Sequence, residues 1–480
     1  MCFLLVGALM SCQSDQEKPL QNLIGTTMSA ATLDQYLEEK MKSLKIPGLA
    51  VAVINNGKVV YHRVKGYADK AHKIKVNKQT IFEGASMSKS VFAYFTMKLV
   101  EQGKLDLDKP LYQYLPYPDI AYDDRYKKIT ARMVLSHRSG FPNWRTDYKS
   151  KGGKLFIKFE PGTQYHYSGE GYQYLAKVLK HLLKTDWKGL DAKIREDIML
   201  PLGMIHTRFI QNTYNVTHKA KPYDEKGQLV DPKYKKLDSL FIAPASIHSE
   251  SMEFSKWLIA MMNRQGLQKT AFDEMLKPHS QVPFPIPLEL NYTLGFFNYT
   301  FPFGDFYMHG GNNEGFTCLF AIEPDKKWGF VVFTNSEYGE QLGSLMQLYF
   351  INGWPLNKYI WLAVFVLFAF LALLVNGILL LRKTKQPALS KYHFRGGLLA
   401  LSSVFLGLFL SSYTTIHYSS VGHWIFQGLY YGLALAIVVQ LYLAAKQLIT
   451  LQKNKSIGIV KMVFQAFLML ALLISGVMIV

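Results

Sequence analysis

Cysteine is nearly absent. Three occur in 480 residues, two of them within the first twelve, so no disulfide framework holds this chain together. Paired metal-ligand signatures are missing too. There is no Cys-x-x-Cys and no His-x-x-x-His, which leaves a zinc hydrolase without a ligand set; no metal or other cofactor is expected. Charged residues are scarce, 19% against 49% hydrophobic, a composition that excludes a disordered or collagen-like chain. The most telling absence is local. All 35 acidic residues precede Trp354, while the segment from Trp354 to Val480 holds ten Lys/Arg and no Asp or Glu. More than half of the net charge of +19 therefore comes from that segment. Its basic residues stand between long apolar runs, which is the pattern of membrane topology and not of a nucleic-acid surface.

Three stretches of the segment carry no charge: Tyr359 to Leu381, Gly396 to Ala445 and Met462 to Val480. The first and last have the length of one membrane-spanning helix. The middle one, at 50 residues, would be roughly 75 Å long as a helix, more than twice a hydrocarbon core. It must break, and Ser411 to Ser420 is the polar place to do so. Residues 353–480 thus read as an all-α region of four spans. Arg382, Lys383, Lys385, Lys391 and Arg395 fall between the first two spans, and Lys446, Lys453, Lys455 and Lys461 between the last two. The break has no Lys or Arg. Those two basic loops are expected in the cytoplasm and the region before Tyr359 outside it. No span contains Asp or Glu, which argues against a pump, a proton relay or a transporter.

The N-terminus supports export independently. Residues 1–12 form a short apolar stretch, too short to span a bilayer, before the polar run Gln13-Ser14-Asp15-Gln16. Leu9-Met10-Ser11-Cys12 resembles a bacterial lipobox, which makes Cys12 a candidate lipidation site. Residues 13–30 read as a linker. The expected location is the bacterial inner (cytoplasmic) membrane, multi-pass, with the large domain facing the periplasm or cell exterior.

Residues 31–352 read as one domain without repeats. Leu33 to Met41 is amphipathic. Pro47-Gly48 precedes the apolar run Leu49 to Ile54, then Asn55-Asn56-Gly57 signals a hairpin and Lys58-Val59-Val60-Tyr61 returns. A second strand pair, Phe316 to Ile322 and Trp328 to Thr334, flanks Pro324-Asp325-Lys326-Lys327. Mostly helical and loop patterns lie between. Strands at both ends and helices in the middle predict an α+β fold whose ends meet in one antiparallel sheet. Asn215, Asn291 and Asn298 each open an Asn-x-Thr triplet.

Ser86-Met87-Ser88-Lys89 places a hydroxyl and an ammonium three residues apart, ahead of a helical pattern from Val91 to Gln102. On a helix these groups share a face. A partly desolvated lysine there can lose its proton and activate the serine. Alone the tetrad is equally a helix cap followed by a solvated lysine. Its surroundings decide. Phe82-Glu83-Gly84-Ala85-Ser86-Met87-Ser88-Lys89 resembles the active-site segment of the penicillin-recognising serine hydrolases. Leu135-Ser136-His137-Arg138-Ser139-Gly140-Phe141-Pro142, then Glu160-Pro161-Gly162 through Tyr165-His166-Tyr167-Ser168-Gly169-Glu170-Gly171-Tyr172, then Pro201-Leu202-Gly203-Met204 and His309-Gly310-Gly311 resemble further segments of that family in the same order.

The resemblance covers about residues 31–340 and is strongest to class C β-lactamases, penicillin-binding DD-peptidases and related esterases. It implies an antiparallel sheet flanked by a helical subdomain. It implies Ser86 as nucleophile, Lys89 as its proton partner and Tyr167 as a second base, provided the neighbouring Lys89 lowers the phenol's pKa. It also implies an oxyanion hole from the backbone N–H groups of Ser86 and Asn312, with Gly310 and Gly311 allowing close approach of substrate. His137 is expected as a structural hydrogen-bonder, and Glu170 beside Tyr167 as an ordinary neighbour sooner than as a group that tunes the site. Two positions depart from the family. Gly169 replaces an asparagine that contacts the substrate amide, and His309 replaces a lysine that binds the substrate carboxylate. Both changes act against carboxylate-bearing acyl-D-alanine or β-lactam substrates. The expected activity is acyl transfer by a membrane-anchored esterase, amidase or peptidase on cell-envelope D-amino-acid peptides or esters, with β-lactams among the candidates. The competing reading is a penicillin-binding sensor with little turnover.

Overall fold

The computed structural model describes residues 20–352 except 24, 231–239, 284–288 and 302–303. The expected signal segment, Cys12 and the four spans at 353–480 lie outside the described residues. In chain order the elements used below are α1 (Ala30–Ser43), β1 (Gly48–Asn55), β2 (Lys58–Asp69), β3 (Ile74–Lys75), β4 (Phe82–Ala85), α2 (Ser88–Glu101), α3 (Ala131–Leu135), α4 (Gly169–Leu182), α5 (Trp187–Ile194), β5 (Ile247–Ser249), α6 (Ser251–Met262), α7 (Lys269–Leu276), β6 (Ser280–Gln281), β7 (Leu290–Tyr292), β8 (Phe297–Phe301), β9 (Gly304–Asn313), β10 (Phe316–Glu323), β11 (Trp328–Thr334) and α8 (Gly339–Asn352).

Nine strands form one antiparallel sheet in the order β3-β2-β1-β11-β10-β9-β8-β7-β6. The two strand pairs expected at the domain's ends meet at its centre, where β1 pairs with β11 from Leu49↔Thr334 to Ile54↔Gly329. The β1–β2 hairpin turns on Asn56 (φ 51°) and Gly57 (φ 70°), the two left-handed positions a tight hairpin with the right twist demands. β1 is buried along its whole length, so its alternate side chains serve two cores. Leu49, Val51 and Val53 join Leu33 and Leu37 of α1 and Leu342, Met346 and Phe350 of α8. Ala50, Ala52 and Ile54 join Phe254, Trp257 and Leu258 of α6 on the other face. The small alanines let α6 lie close to the sheet. The result is two helices on one face and a helical subdomain on the other.

Two expectations need correction. Residues 13–30 are not a linker throughout. Leu20–Gln21 pairs with Thr27–Met28, Leu20 and Leu23 are buried in the α1–α8 core, and the Trp328 indole N–H donates to the Gln21 carbonyl at 2.9 Å. The sheet also extends beyond the four recognised strands: β3 adds one edge, and β9, β8, β7 and β6 continue the other side. There Asn291 pairs with Asn298 in register. The three Asn-x-Thr asparagines are all buried, Asn215 at 0%, Asn291 at 5% and Asn298 at 1% exposure, so none is presented for modification.

Candidate active site

Ser86 stands in the sharp turn between β4 and α2. β4 is pinned to β5, and the residue before the serine, Ala85, takes a left-handed φ of 39°. A non-glycine residue there is strained by about 1–3 kcal/mol and persists only when its surroundings enforce it. Ser88 does so. Its hydroxyl donates to the Ala85 carbonyl at 2.5 Å and accepts the Ile247 N–H at 2.9 Å. The strain delivers Ser86 to the N-terminus of α2, where unpaired N–H groups favour negative charge.

One turn along, Lys89 is 1% exposed. Its Nζ lies 3.0 Å from Ser86 Oγ and donates to the Pro244 carbonyl at 3.0 Å. Burial pushes the ammonium well below the ordinary lysine pKa, because removal from water penalises the charged form. Tyr167 completes the group. It hydrogen-bonds Ser86, and Lys89 Nζ sits 4.6 Å from its ring centroid. The expectation that Lys89 depresses the Tyr167 pKa is corrected here: burial raises the phenol above its ordinary value. Two buried neutral groups cost less than a buried ion pair that lacks further partners. Burial thus pushes the pair toward a neutral amine at Lys89 and a protonated phenol at Tyr167, which makes Lys89 the candidate base.

His137 fixes Tyr167. It is fully buried, and its Nδ1 accepts the Ser168 N–H at 3.0 Å while its carbonyl accepts the His166 N–H at 2.7 Å. The two bonds bracket Tyr167 on both sides. Burial first, then the neighbouring Lys89, hold the imidazole neutral.

The opposite wall is β9. His309, Gly310, Gly311 and Asn312 lie inside this strand and not before one. A Cβ on Gly311 would come within 2.8 Å of the Ser86 backbone nitrogen, 2.8 Å of the Gly84 carbonyl and 2.7 Å of Cys318 Sγ. Only glycine lets β9 approach the serine turn this closely. Asn312 is exposed, with its side-chain amide on Glu340 at 3.3 Å. His309 does not reach a ligand-facing surface. It is 1% exposed, its Nδ1–H donates to the Gly310 carbonyl at 2.6 Å, and its Nε2 accepts the Tyr292 hydroxyl at 3.0 Å. Burial, then the repulsion of Lys89, pulls its pKa down to about 3. A neutral, internal imidazole offers no charge to a substrate carboxylate. Cys318 is a buried thiol donating to the Gly84 carbonyl at 3.1 Å.

Gly169 opens α4, capped by Ser168, whose Oγ accepts the Gly171 N–H at 3.0 Å. A Cβ at Gly169 would lie 3.0 Å from the Asn143 carbonyl and 3.1 Å from two indole carbons of Trp144. Asn143, Trp144, the Pro244 carbonyl and Tyr292 have no signature in a single sequence: one contributes backbone, and the tyrosine is one of 29. Among the described residues, no three His, Cys, Asp or Glu side chains are grouped to hold a metal.

The geometry agrees with comparison across known proteins. The model of the β-lactamase family matches residues 33–348. The chain belongs to the β-lactamase family. Protein flp of Staphylococcus aureus is 25% identical over 344 residues, covering 68% of each chain. Two solved structures share the β-lactamase-family fold. The octameric penicillin-binding protein homologue from Pyrococcus abyssi has a TM-score of 0.57 at 24% identity, covering 65% of this chain and 74% of the other. D-alanine carboxypeptidase AmpC from Burkholderia cenocepacia has 0.55 at 18%, covering 65% and 97%.

Proposed function

We propose that this protein is a membrane-anchored serine hydrolase that works through a Ser86 acyl-enzyme. The observation that carries the reading is the buried, deprotonation-prone Lys89 with its Nζ 3.0 Å from Ser86 Oγ. Neutral Lys89 takes the serine proton as Oγ attacks the substrate carbonyl. The Ser86 and Asn312 backbone N–H groups receive the oxyanion. Tyr167, hydrogen-bonded to Ser86, passes the proton to the leaving group and later helps water release the acyl group. The substrates proposed are D-amino-acid peptides or esters of the cell envelope, with β-lactams as further candidates.

The anchoring half rests on the sequence. The charge-free stretches and the basic loops between them support four spans with the hydrolase domain outside the bacterial cytoplasmic membrane. Lipidation at Cys12 would add a second anchor. Among the described residues no helix is long and apolar enough to cross a membrane.

The test uses the full chain in detergent with a fluorescent penicillin, a fluorophosphonate and a nitrophenyl ester, beside Ser86→Ala. Intact mass is followed over time. A wild-type adduct that clears with ester turnover and is missing from Ser86→Ala is expected. A penicillin adduct that never clears would replace the hydrolase with a binding or sensing protein. No Ser86-dependent adduct from any probe would sink the proposal.

A further inference from the structure

The segment Asn143-Trp144-Arg145 is strapped across the first turn of α4. The Asn143 carbonyl accepts the N–H groups of Gly169 and Glu170 at 3.1 and 3.0 Å, and its Oδ1 accepts Gly169 N–H again at 3.1 Å. On the other side of Trp144, Glu170 receives three hydrogen bonds from Arg145. The backbone N–H and Nε reach Oε1 at 3.0 and 2.9 Å, and Nη2 reaches Oε2 at 2.9 Å. Arg145 is itself held by Asp119 at 2.8 Å and by the Tyr117 hydroxyl at 2.9 Å. Glu170 is 7% exposed and sits where a helix N-terminus favours a carboxylate. Trp144 is therefore fixed on both sides. Its half-buried indole lies in the direction a Gly169 side chain would take, two residues from Tyr167. Beyond Tyr167 the half-buried Phe297 ring stacks in parallel, 6.4 Å away.

The charged side chains of the site are already committed. Lys89 contacts Ser86 and is its proposed base. Lys219 is paired with Glu83 at 2.7 Å, His309 is internal, and the side chain of Asn312 meets a carboxylate, Glu340. A substrate carboxylate would find no free cation among these residues and one acid at the rim. An apolar group would find the half-buried indole of Trp144 beside Gly169 and the half-buried ring of Phe297 beside Tyr167.

We infer that Ser86 is acylated by esters of neutral, apolar acyl groups, that Trp144 is the specificity-determining residue for them, and that Arg145 and Glu170 are positioning residues for the indole. The inference rests on the hydrolase reading and deepens it. Glycine at 169 and tryptophan at 144 are fitted to each other: a Cβ at 169 would press on the indole from 3.1 Å.

The test measures kcat/KM for nitrophenyl acetate, butyrate and octanoate with the full chain in detergent, alongside fluorophosphonate labelling of Ser86. Octanoate should exceed acetate in the wild type. In Trp144→Ala the octanoate-to-acetate ratio should fall by about tenfold, the discrimination a few methylenes against an apolar wall supply. Trp144→Phe should restore most of it. Glu170→Gln should lower the ratio through the octanoate KM and not through kcat. An unchanged ratio in Trp144→Ala, with Ser86 still labelled, overturns the inference and leaves the hydrolase standing. Failure of the wild type to label overturns both.

Discussion

Lys89 accepts a proton only after losing its own, so its protonation state controls the site. Burial lowers its pKa well below the ordinary lysine value. The neutral base is therefore fully present above that lowered pKa and lost as pH falls through it. Ester hydrolysis should rise with pH along a single ascending limb centred well below the lysine range, read as kcat/KM against pH. Lys89→Arg removes the limb, because a guanidinium never becomes a base. Activity should drop by about 10²–10⁴-fold at every pH; an unaltered profile in Lys89→Arg would assign the base elsewhere. At this scale the sequence revealed much. Ser86, Lys89 and Tyr167 carry their chemistry in their residue types, and the structure brings the three together. What the sequence could not reveal is the direction of the Tyr167 shift, since that depends on how much water surrounds the phenol. The same limit applies to His309: nothing in His-Gly-Gly tells whether an imidazole faces a ligand or a core tyrosine.

Elements place these residues, and their own stability depends on buried charges. Helix α6, which packs the central strands, is capped by Glu250, whose carboxylate receives the Met252 and Glu253 N–H groups at 2.6 Å each. Burial outweighs those bonds and raises its pKa to about 7. The folded state then holds a proton that the unfolded chain, with an ordinary glutamate near 4.5, has already released. Stability from this group is present below the unfolded value and declines as pH rises from there through about 7, by at most about 1.4 kcal/mol per pH unit. Denaturant unfolding between pH 4.5 and 7.5 should show that slope, and Glu250→Gln should flatten it. A slope equally steep in the variant would exclude Glu250 as its source. Element legibility follows burial geometry. β1, β10 and β11 announce themselves as apolar runs because both of their faces are covered. α2 is buried on almost every side, so its sequence shows little amphipathic rhythm, and β6 and β7, of two and three residues, are too short to show alternation at all.

For the whole molecule the decisive quantity is where charge is missing. All 35 acidic residues precede Trp354, and residues 353–480 contain basic residues only in the two intervals that separate the apolar stretches and at Lys358. A membrane reads that asymmetry directly, since Lys/Arg-rich loops are retained on the cytoplasmic side. The break at Ser411–Ser420, without Lys or Arg, belongs on the same side as the hydrolase domain. Cysteine labelling of intact cells, with Cys2 and Cys12 replaced by serine, tests the arrangement, because the remaining Cys318 is buried and stays silent in the folded domain. Ser419→Cys should react with a membrane-impermeant maleimide from outside. Lys385→Cys should react only after lysis. The opposite pattern would put Ser86 in the cytoplasm, away from any cell-envelope substrate. It would leave the Ser86–Lys89 chemistry intact while removing the envelope from the proposed function, so the topology and the chemistry can fail separately.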